Sequence, residues 1–491
     1  MFTHCCVPLH RILKHRSDLR IVISSATINA KDFENYFSDK YSTSILSVDG
    51  RQYDYEVVYS QQNVDDYVES AVNTAININK NENEGDILIF LTGREDIDRG
   101  LQMLSDITIG KNDTRYLKLY GVPLHAGLKP EEEMKVFEST PAKMRKVIFS
   151  TNVAEASVTI EGIKFVIDTG LVKTRRFDVN QGIEVLETVA CSKQSLTQRA
   201  GRVGRTMNGK CFRLFEEKEM DNLEEKIVPD ICKSELSSAI LQLKVLGVVN
   251  VVRFEYLDRP PSKLLMWALE NLYINGCMDE EGELTDLGKK LGEMPIDLKM
   301  AKMILNGDKY GCTSEMITIA AMMSVQNPFS YGNGIGELER RKFVAEEGDH
   351  LTLLNGYNGF VKYGKSSKSF ANKHKMNFKV MSRAVYIRQQ LKIYMNKFGI
   401  KEVSCEGDEK RIRKCIYESY KENVVRSLGN GDYEELRSGM KLRAHPSSVL
   451  FDREPKSKYL IYNEKFISKG IYLKDLTVID VDWLIEEKDS H

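Results

Sequence analysis

Four short apolar runs set the terms for the first half of this chain: Leu19–Ile23, Asp86–Phe90, Lys146–Phe149 and Lys164–Ile167. Helix-patterned segments such as Pro130–Phe137 lie between them. Short buried-type strands separated by helices predict a parallel α/β sheet. In such a sheet, ligands collect at the carboxyl ends of the strands. The residues with chemistry to offer follow the runs as that rule requires. Ser25-Ala26-Thr27 comes after the first, Thr92-Gly93 after the second and Thr151-Asn152 after the third. From about residue 218 long helical stretches take over, namely Cys232–Leu246, Lys263–Ile274, Leu298–Leu305 and Ser314–Met323. After about residue 400 β-type runs return, as in Tyr459–Tyr462, while Asn77–Glu84 reads as a solvated helix end and loop.

The densest chemistry sits in Gln198-Arg199-Ala200-Gly201-Arg202-Val203-Gly204-Arg205. A guanidinium stays charged at any cellular pH and forks onto phosphate oxygens, and glycines let a backbone approach a ligand closely. The combination suits cations that stabilise a transferring γ-phosphoryl group. Out of context, the same residues would make a solvated basic helix face. Ser25 and Thr27 could couple a nucleotide site to a neighbouring domain, or simply cap a helix. The stretch Thr151–Ile160 offers hydroxyls and an amide to a sugar–phosphate backbone, and Glu155 to orient neighbours. A capped helix explains Thr151–Glu155 as well.

A length of 491 residues predicts roughly three to four domains. The 70 Lys and Arg residues and the 71 Asp and Glu residues cancel to a net charge of −1. There is no global basic field, so any nucleic-acid site has to be a local channel of clustered cations. The nine cysteines show no metal-ligand spacing and read as free thiols of a reducing compartment. No apolar run reaches the roughly 18 residues of a membrane span, and the N-terminus lacks a signal-peptide core. Cytosol and nucleus remain open. No internal repeat is present.

What gives the short motifs weight is their order. Ser25-Ala26-Thr27, then Phe90-Leu91-Thr92-Gly93, then the Thr151–Ile160 stretch, then the arginine box is the running order of the second half of a superfamily 2 helicase. Gly170-Leu171-Val172-Lys173 and Gly209–Leu214 resemble the DEAH-box/RHA RNA helicases more closely. Leu284–Gly288 resembles that family's winged helix, and Ala320–Asn327 with Glu347–Thr352 its helical, ratchet-like domain. His445–Ser448 and Tyr462–Glu464 with Ser468-Lys469 resemble its OB-fold. Lys342–His350 most resembles a spliceosome-associated branch. The resemblance covers nearly the whole chain.

It implies an α/β RecA-like domain with a parallel sheet, then mainly helical winged-helix and ratchet-like domains, then a C-terminal β OB-fold. The expected spans are 1–48 for a remnant of the first RecA-like domain, 49–217 for the second, 218–280 for the winged helix, 281–395 for the ratchet-like domain and 396–491 for the OB-fold. It implies Arg202 and Arg205 as fingers reaching a γ-phosphate, and Gln198 as a residue that positions the attacking water. Phe137 matches an aromatic that stacks on adenine, although its pattern fits a core Phe equally. Glu161 stands where the family usually has an Asp touching the ribose, and Ala156 where it usually has a Thr. Thr92, Gly93, Thr151, Asn152, Ser157, Thr159 and Lys173 match contacts to RNA. Arg443, His445 and Lys469 are candidates for RNA contact on the OB-fold, or ordinary surface polar residues. Arg176–Val189 corresponds to a β-hairpin that wedges against RNA.

The implied activity is ATP-dependent RNA unwinding or translocation, with ATP and Mg²⁺ as cofactors and single-stranded RNA as partner. G-patch activators, spliceosomal proteins, pre-mRNA splicing and a nuclear location follow by resemblance only. Within these 491 residues there is no G-x-x-x-x-G-K-[ST] cradle and no DEAH tetrad. The sequence therefore resembles a DEAH helicase truncated just after its DEAH motif, and inactive alone. The alternative is a non-catalytic RNA- or protein-binding module. A metabolic α/β enzyme has no supporting constellation.

Overall fold

The computed structural model describes residues 12–13, 16, 18–24, 30–38, 40–47, 53–62, 64–108, 115–128, 130–156, 159–205, 207–329, 334–363, 367–451, 453–467 and 470–488. Two compact units share the chain. One comprises Ile12–Arg175 with Leu186–Asp230; the other comprises Arg176–Val185 with Ile231 onward.

The first unit begins with α1 (Ala30–Ser38) and then alternates β1 (Tyr55–Tyr59), α2 (Tyr67–Asn81), β2 (Asp86–Phe90), α3 (Arg94–Thr108), β3 (Lys118–Leu124), α4 (Pro130–Phe137), β4 (Met144–Ser150), α5 (Val153–Ala156) and β5 (Ile163–Asp168). A hairpin of β6 (Leu171–Asp178) and β7 (Ile183–Ala190) leads to α6 (Lys193–Ala200) and β8 (Gly209–Arg213). Six strands pair in parallel in the order β1-β8-β5-β2-β4-β3. Every residue of β2 is buried, which is why its run has no polar alternation. Ile87, Ile89, Phe149 and Phe165 face the core under α2 and α3, while Leu88, Phe90, Ile148 and Val166 face the opposite one. Asp66 caps α2 by accepting from the Val68 and Glu69 N–H groups.

The apolar run Leu19–Ile23, expected as a strand, forms none among the described residues. Among the described residues none offers it a ladder, and its side chains stay half-buried or exposed. Val22 is 90% exposed and Leu46 86% exposed, whereas Phe37 is buried. Few local contacts predict fast opening. Amide exchange at residues 19–24 and 42–47 is expected to outpace that of β2, β4 and β5 by several orders of magnitude. Equal protection in a native-state exchange experiment would contradict this.

The second unit is helical first. It holds α7 (Ser237–Val245), α8 (Ser262–Ile274), α9 (Asp286–Glu293), α10 (Leu298–Tyr310), α11 (Thr313–Met323), α12 (Gly334–Arg340), α13 (Asp349–Lys362), α14 (Ser367–Lys373), α15 (Phe378–Lys397) and α16 (Glu409–Ser419). The stretch Cys232–Leu246, expected as one helix, is a 3₁₀ turn at Asp230–Cys232 followed by the shorter α7. The Glu235 carboxylate takes the Ser237 N–H at 2.7 Å, which starts the helix later. Strands β9 (Val424–Gly429), β10 (Asp432–Glu435), β11 (Lys441–Ala444), β12 (Tyr459–Ile461), β13 (Glu464–Ile467), β14 (Ile471–Lys474) and β15 (Thr477–Val478) precede α17 (Val481–Lys488). They pair in the order β15-β12-β9-β10-β11-β14-β13. The hairpin residues Glu184 and Val185 then add to β13 in parallel, opposite Phe466 and Ile467.

Asp349 ties the helical and β parts together. Its buried carboxylate accepts from the Ser448 hydroxyl at 2.6 Å and the Val449 and Leu476 N–H groups at 2.8 and 2.9 Å. The seven described cysteines are free thiols, six of them buried. No helix of the described residues is long and apolar enough to cross a membrane.

Candidate active site

Of the expected site residues of the first unit, Thr92 and Gly93 follow the carboxyl end of β2 and Thr151 and Asn152 that of β4, whereas Thr159 and Glu161 precede β5 and Phe137 ends α4 beside the start of β4. Thr92 follows β2 and hydrogen-bonds Asp96 at 2.5 Å, while Asp96 also takes the Tyr67 hydroxyl at 2.9 Å. A Cβ on Gly93 would meet Lys173 Cδ at 3.7 Å, so the β2 loop and β6 run side by side. Thr151 follows β4, and its N–H bonds the Leu124 carbonyl at the end of β3. Asn152 is exposed and starts α5, its carbonyl accepting from the Glu155 N–H.

The arginine box divides into three roles. Arg199 lies on the buried face of α6 with Ser195, Leu196 and Ala200. Its guanidinium is fully buried; Nε donates to Glu155 Oε1 at 2.7 Å and Nη1 to Asp168 Oδ1 at 2.9 Å. Nη1 also reaches the Leu171 carbonyl at 3.1 Å, and the cation sits 4.9 Å from the centre of the Phe90 ring. The same Asp168 oxygen accepts the Gly170 N–H at 2.9 Å, so one buried charge network joins α6, α5, β5 and the start of β6.

Arg202 is half-buried and donates to the Glu155 carbonyl. Burial, and next the neighbouring Arg205 charge, pull it down to about 10. Arg205 is exposed and donates to Thr159 Oγ1 at 2.9 Å. Two guanidiniums are thus held together against their mutual repulsion, an arrangement an incoming polyanion would relieve. Gln198 lies half-buried on the last turn of α6.

Gly204 makes the turn possible. Its φ is +74°, and a Cβ there would stand 2.5 Å from the Tyr53 carbonyl oxygen. Gly204→Ala is expected to cost roughly 1–3 kcal/mol and to displace Arg205. A chemical-denaturation midpoint equal to that of the parent would refute the expectation.

Phe137 ends α4 and is 44% exposed, while its neighbour Val136 is buried. The core-Phe reading of its pattern is therefore wrong. The end of α4 is fastened by buried Lys146, whose ammonium donates to the Val136 and Glu138 carbonyls at 2.9 and 2.6 Å. Burial lowers its pKa. Glu161 is exposed in the turn before β5. In the second unit, Arg443 is exposed and paired with Asp432 at 2.8 Å. His445 is half-buried beside Phe466 and Tyr472, with Nδ1 2.7 Å from the Ser447 hydroxyl. Burial lowers its pKa, which favours the neutral ring. Ser25, Thr27, Ser157 and Lys469 lie outside the described residues, as does the side chain of Ala156.

Sequence reasoning missed the supporting layer: Arg199 as a buried strut, Lys146 as the fastener of α4, and Tyr67 with Asp96 behind Thr92. The signal for Arg199 was available. Its i, i+1, i+4, i+5 spacing with Ser195, Leu196 and Ala200 puts it on the inward stripe of α6.

A parallel RecA-like sheet that presents paired arginines beyond its strand ends, followed by helical domains and an OB-type sheet, defines the class of nucleic-acid helicases with a composite nucleotide site. The helicase conserved C-terminal domain pattern matches residues 67–207. The winged-helix and ratchet-like parts of the helicase-associated domain match 268–296 and 297–353, and the oligonucleotide/oligosaccharide-binding fold matches 412–490. The chain belongs to the DEAH-box RNA helicase family, in the DHX35-like branch. It is 40% identical over 492 aligned residues to "Probable ATP-dependent RNA helicase DHX35" of Homo sapiens, covering 97% of this chain and 69% of that protein. The protein of the same name from Pongo abelii gives 40% identity, with 97% and 68% covered. The "Probable ATP-dependent RNA helicase DHX35 homolog" of Caenorhabditis elegans gives 39%, with 97% and 66% covered. These relatives support the DEAH-box helicase 35 branch to which Lys342–His350 pointed.

Proposed function

We propose that this chain supplies the finger-bearing half of an ATP-dependent RNA helicase, acting in pre-mRNA splicing in the nucleus. The observation that carries the reading is the geometry of the box: Arg202 bonded to the Glu155 carbonyl, Glu155 in turn held by buried Arg199, and Arg205 close enough for its charge to act on Arg202. Arg202 and Arg205 would take up charge developing on the γ-phosphoryl group, and Gln198 would position the attacking water. Phe137 would stack on the base and Glu161 would meet the ribose. ATP and Mg²⁺ need a phosphate cradle and an acidic metal site, which the motifs of these 491 residues do not include. The chain alone is therefore expected to be inactive.

Thr92, Gly93, Thr151, Asn152, Ser157, Thr159 and Lys173 would hold the RNA backbone, which positions a strand without reading its sequence. The β6–β7 hairpin would part it from its partner. Arg443, His445 and Lys469 would guide RNA on the OB-fold, with Ser25 and Thr27 coupling the motor halves. G-patch-type activators and spliceosomal proteins are the partners this reading calls for.

The test is single-turnover ATP hydrolysis with Mg²⁺ and single-stranded RNA. The purified chain is measured alone and mixed with a polypeptide carrying the P-loop and DEAH half of a relative. Turnover in the mixture only supports the composite site. Turnover by the chain alone overturns it, and turnover in neither favours a non-catalytic module.

A further inference from the structure

Charge in the second unit is segregated. From His350 to Lys401 the chain carries eleven Lys or Arg residues and no Asp or Glu, although the whole protein has a net charge of −1. The fold gathers much of this excess at one helical corner: the end of α13, all of α14 and the first half of α15. These share a core of Phe360, Phe370, Met376, Met381 and Ala384. Tyr363 stacks on Phe370 with centroids 4.7 Å apart and planes at 22°, which ties the end of α13 to α14.

On the outside of the corner, Lys362, Lys368, Lys373, Lys379 and Arg383 are exposed. Acidic groups from the neighbouring elements are engaged elsewhere. Glu402 pairs with Arg388 and Lys392 at 2.5 and 2.6 Å, and Glu293 with Lys397 at 2.6 Å. Glu339 of α12 pairs with Lys342 and His374, each at 2.7 Å. The far half of α15 is thereby partly neutralised, while among the described residues the five cations of the corner make no ion pair. Two exposed aromatics belong to the same elements: Tyr363, next to Lys362 in the chain, is 54% exposed, and Tyr386, one turn beyond Arg383 on α15, is 61% exposed.

The unit's large cavity contrasts with this corner. About 710 Å³ in volume, it is lined by Glu184, Glu235, Glu270 and Glu422 against Lys299 and Lys465, among others. On charge it would repel phosphates.

We propose that the α13–α14–α15 corner is a second RNA grip, holding the phosphate backbone of single-stranded RNA while Tyr363 and Tyr386 stack on its bases. The inference rests on the RNA-helicase reading and adds to it a site away from the arginine box. Cations interleaved with exposed aromatic faces are the arrangement single strands use. An acidic peptide would use the cations and gain little from the rings.

The experiment measures binding of a fluorescein-labelled 20-nucleotide single-stranded RNA to the full chain across a salt series. For K368Q/K373Q/K379Q/R383Q the slope of log K against log salt should become shallower by about 3, with affinity near 0.1 M salt falling roughly 10²-fold. Tyr363→Ala with Tyr386→Ala should weaken binding at an unchanged slope. The four substituted cations and Tyr386 are exposed, so the quadruple variant and Tyr386→Ala should keep the parent's unfolding midpoint, whereas Tyr363→Ala also loses the stack on Phe370 and is compared at matched folded fraction. An unchanged slope in the quadruple variant overturns the inference. If Thr92→Ala with Lys173→Ala then lowers binding, the helicase reading survives by itself. Equal affinity for an oligoglutamate peptide, lost in the same quadruple variant, assigns the corner to an acidic protein and also overturns it.

Discussion

Arg205→Ala is expected to lower ATP turnover by roughly 10³–10⁵ in the chain mixed with a P-loop and DEAH half, the range lost when an arginine finger is removed. The same substitution should leave the unfolding free energy within about 0.5 kcal/mol. Arg205 is exposed, and among the described residues its side chain's hydrogen bond is the one to Thr159 at 2.9 Å. A large kinetic effect without a stability effect is the signature of a group that works only on the transferring phosphoryl. Arg205→Lys should restore little, because an ammonium lacks the planar fork. Single-turnover rates and a urea titration on the same preparations check both halves. A rate loss under about tenfold would remove Arg205 from the phosphate site.

Much of this was legible in the sequence because it is written in local patterns. The runs at Asp86–Phe90, Lys146–Phe149 and Lys164–Ile167 became β2, β4 and β5, since strands buried on both faces need apolar residues throughout. The loops after β2 and β4 followed from the strand-end rule. Leu19–Ile23 shows where local pattern stops: a strand also needs a neighbour to complete its hydrogen bonds, and among the described residues none pairs with it. The three arginines of the box look alike in sequence, yet one is a buried strut, one is half-buried and one is exposed. Helical phase separates them, because α6 ends at Ala200 and the Gly204 turn re-aims the chain beyond it. Phe137 was undecidable by periodicity, because a helix-terminal residue can point either way; the Lys146 fastening that fixes the helix end is not local.

Arg199→Met is the counterpart experiment, and its effect should fall on stability. Removing one partner from a buried ion pair leaves charge without compensation and costs about 3–5 kcal/mol. Here two acids would be stranded: Asp168, with a fully buried side chain, and Glu155, nearly so. For a unit of this size the thermal midpoint should drop by about 6–20 °C. The loss should be partly recovered in Arg199→Met/Asp168→Asn/Glu155→Gln, where no buried charge remains, since a neutral replacement of a whole buried network is often tolerated. Recovery of stability should not bring recovery of turnover. Glu155 also carries, on its backbone, the carbonyl that accepts from Arg202. With the Arg199 link to the Glu155 side chain gone, α5 loses its fixed position and Arg202 its anchor. If differential scanning calorimetry finds the single variant as stable as the parent, the network is not the strut of the site, and the rigid placement of Arg202 needs another cause.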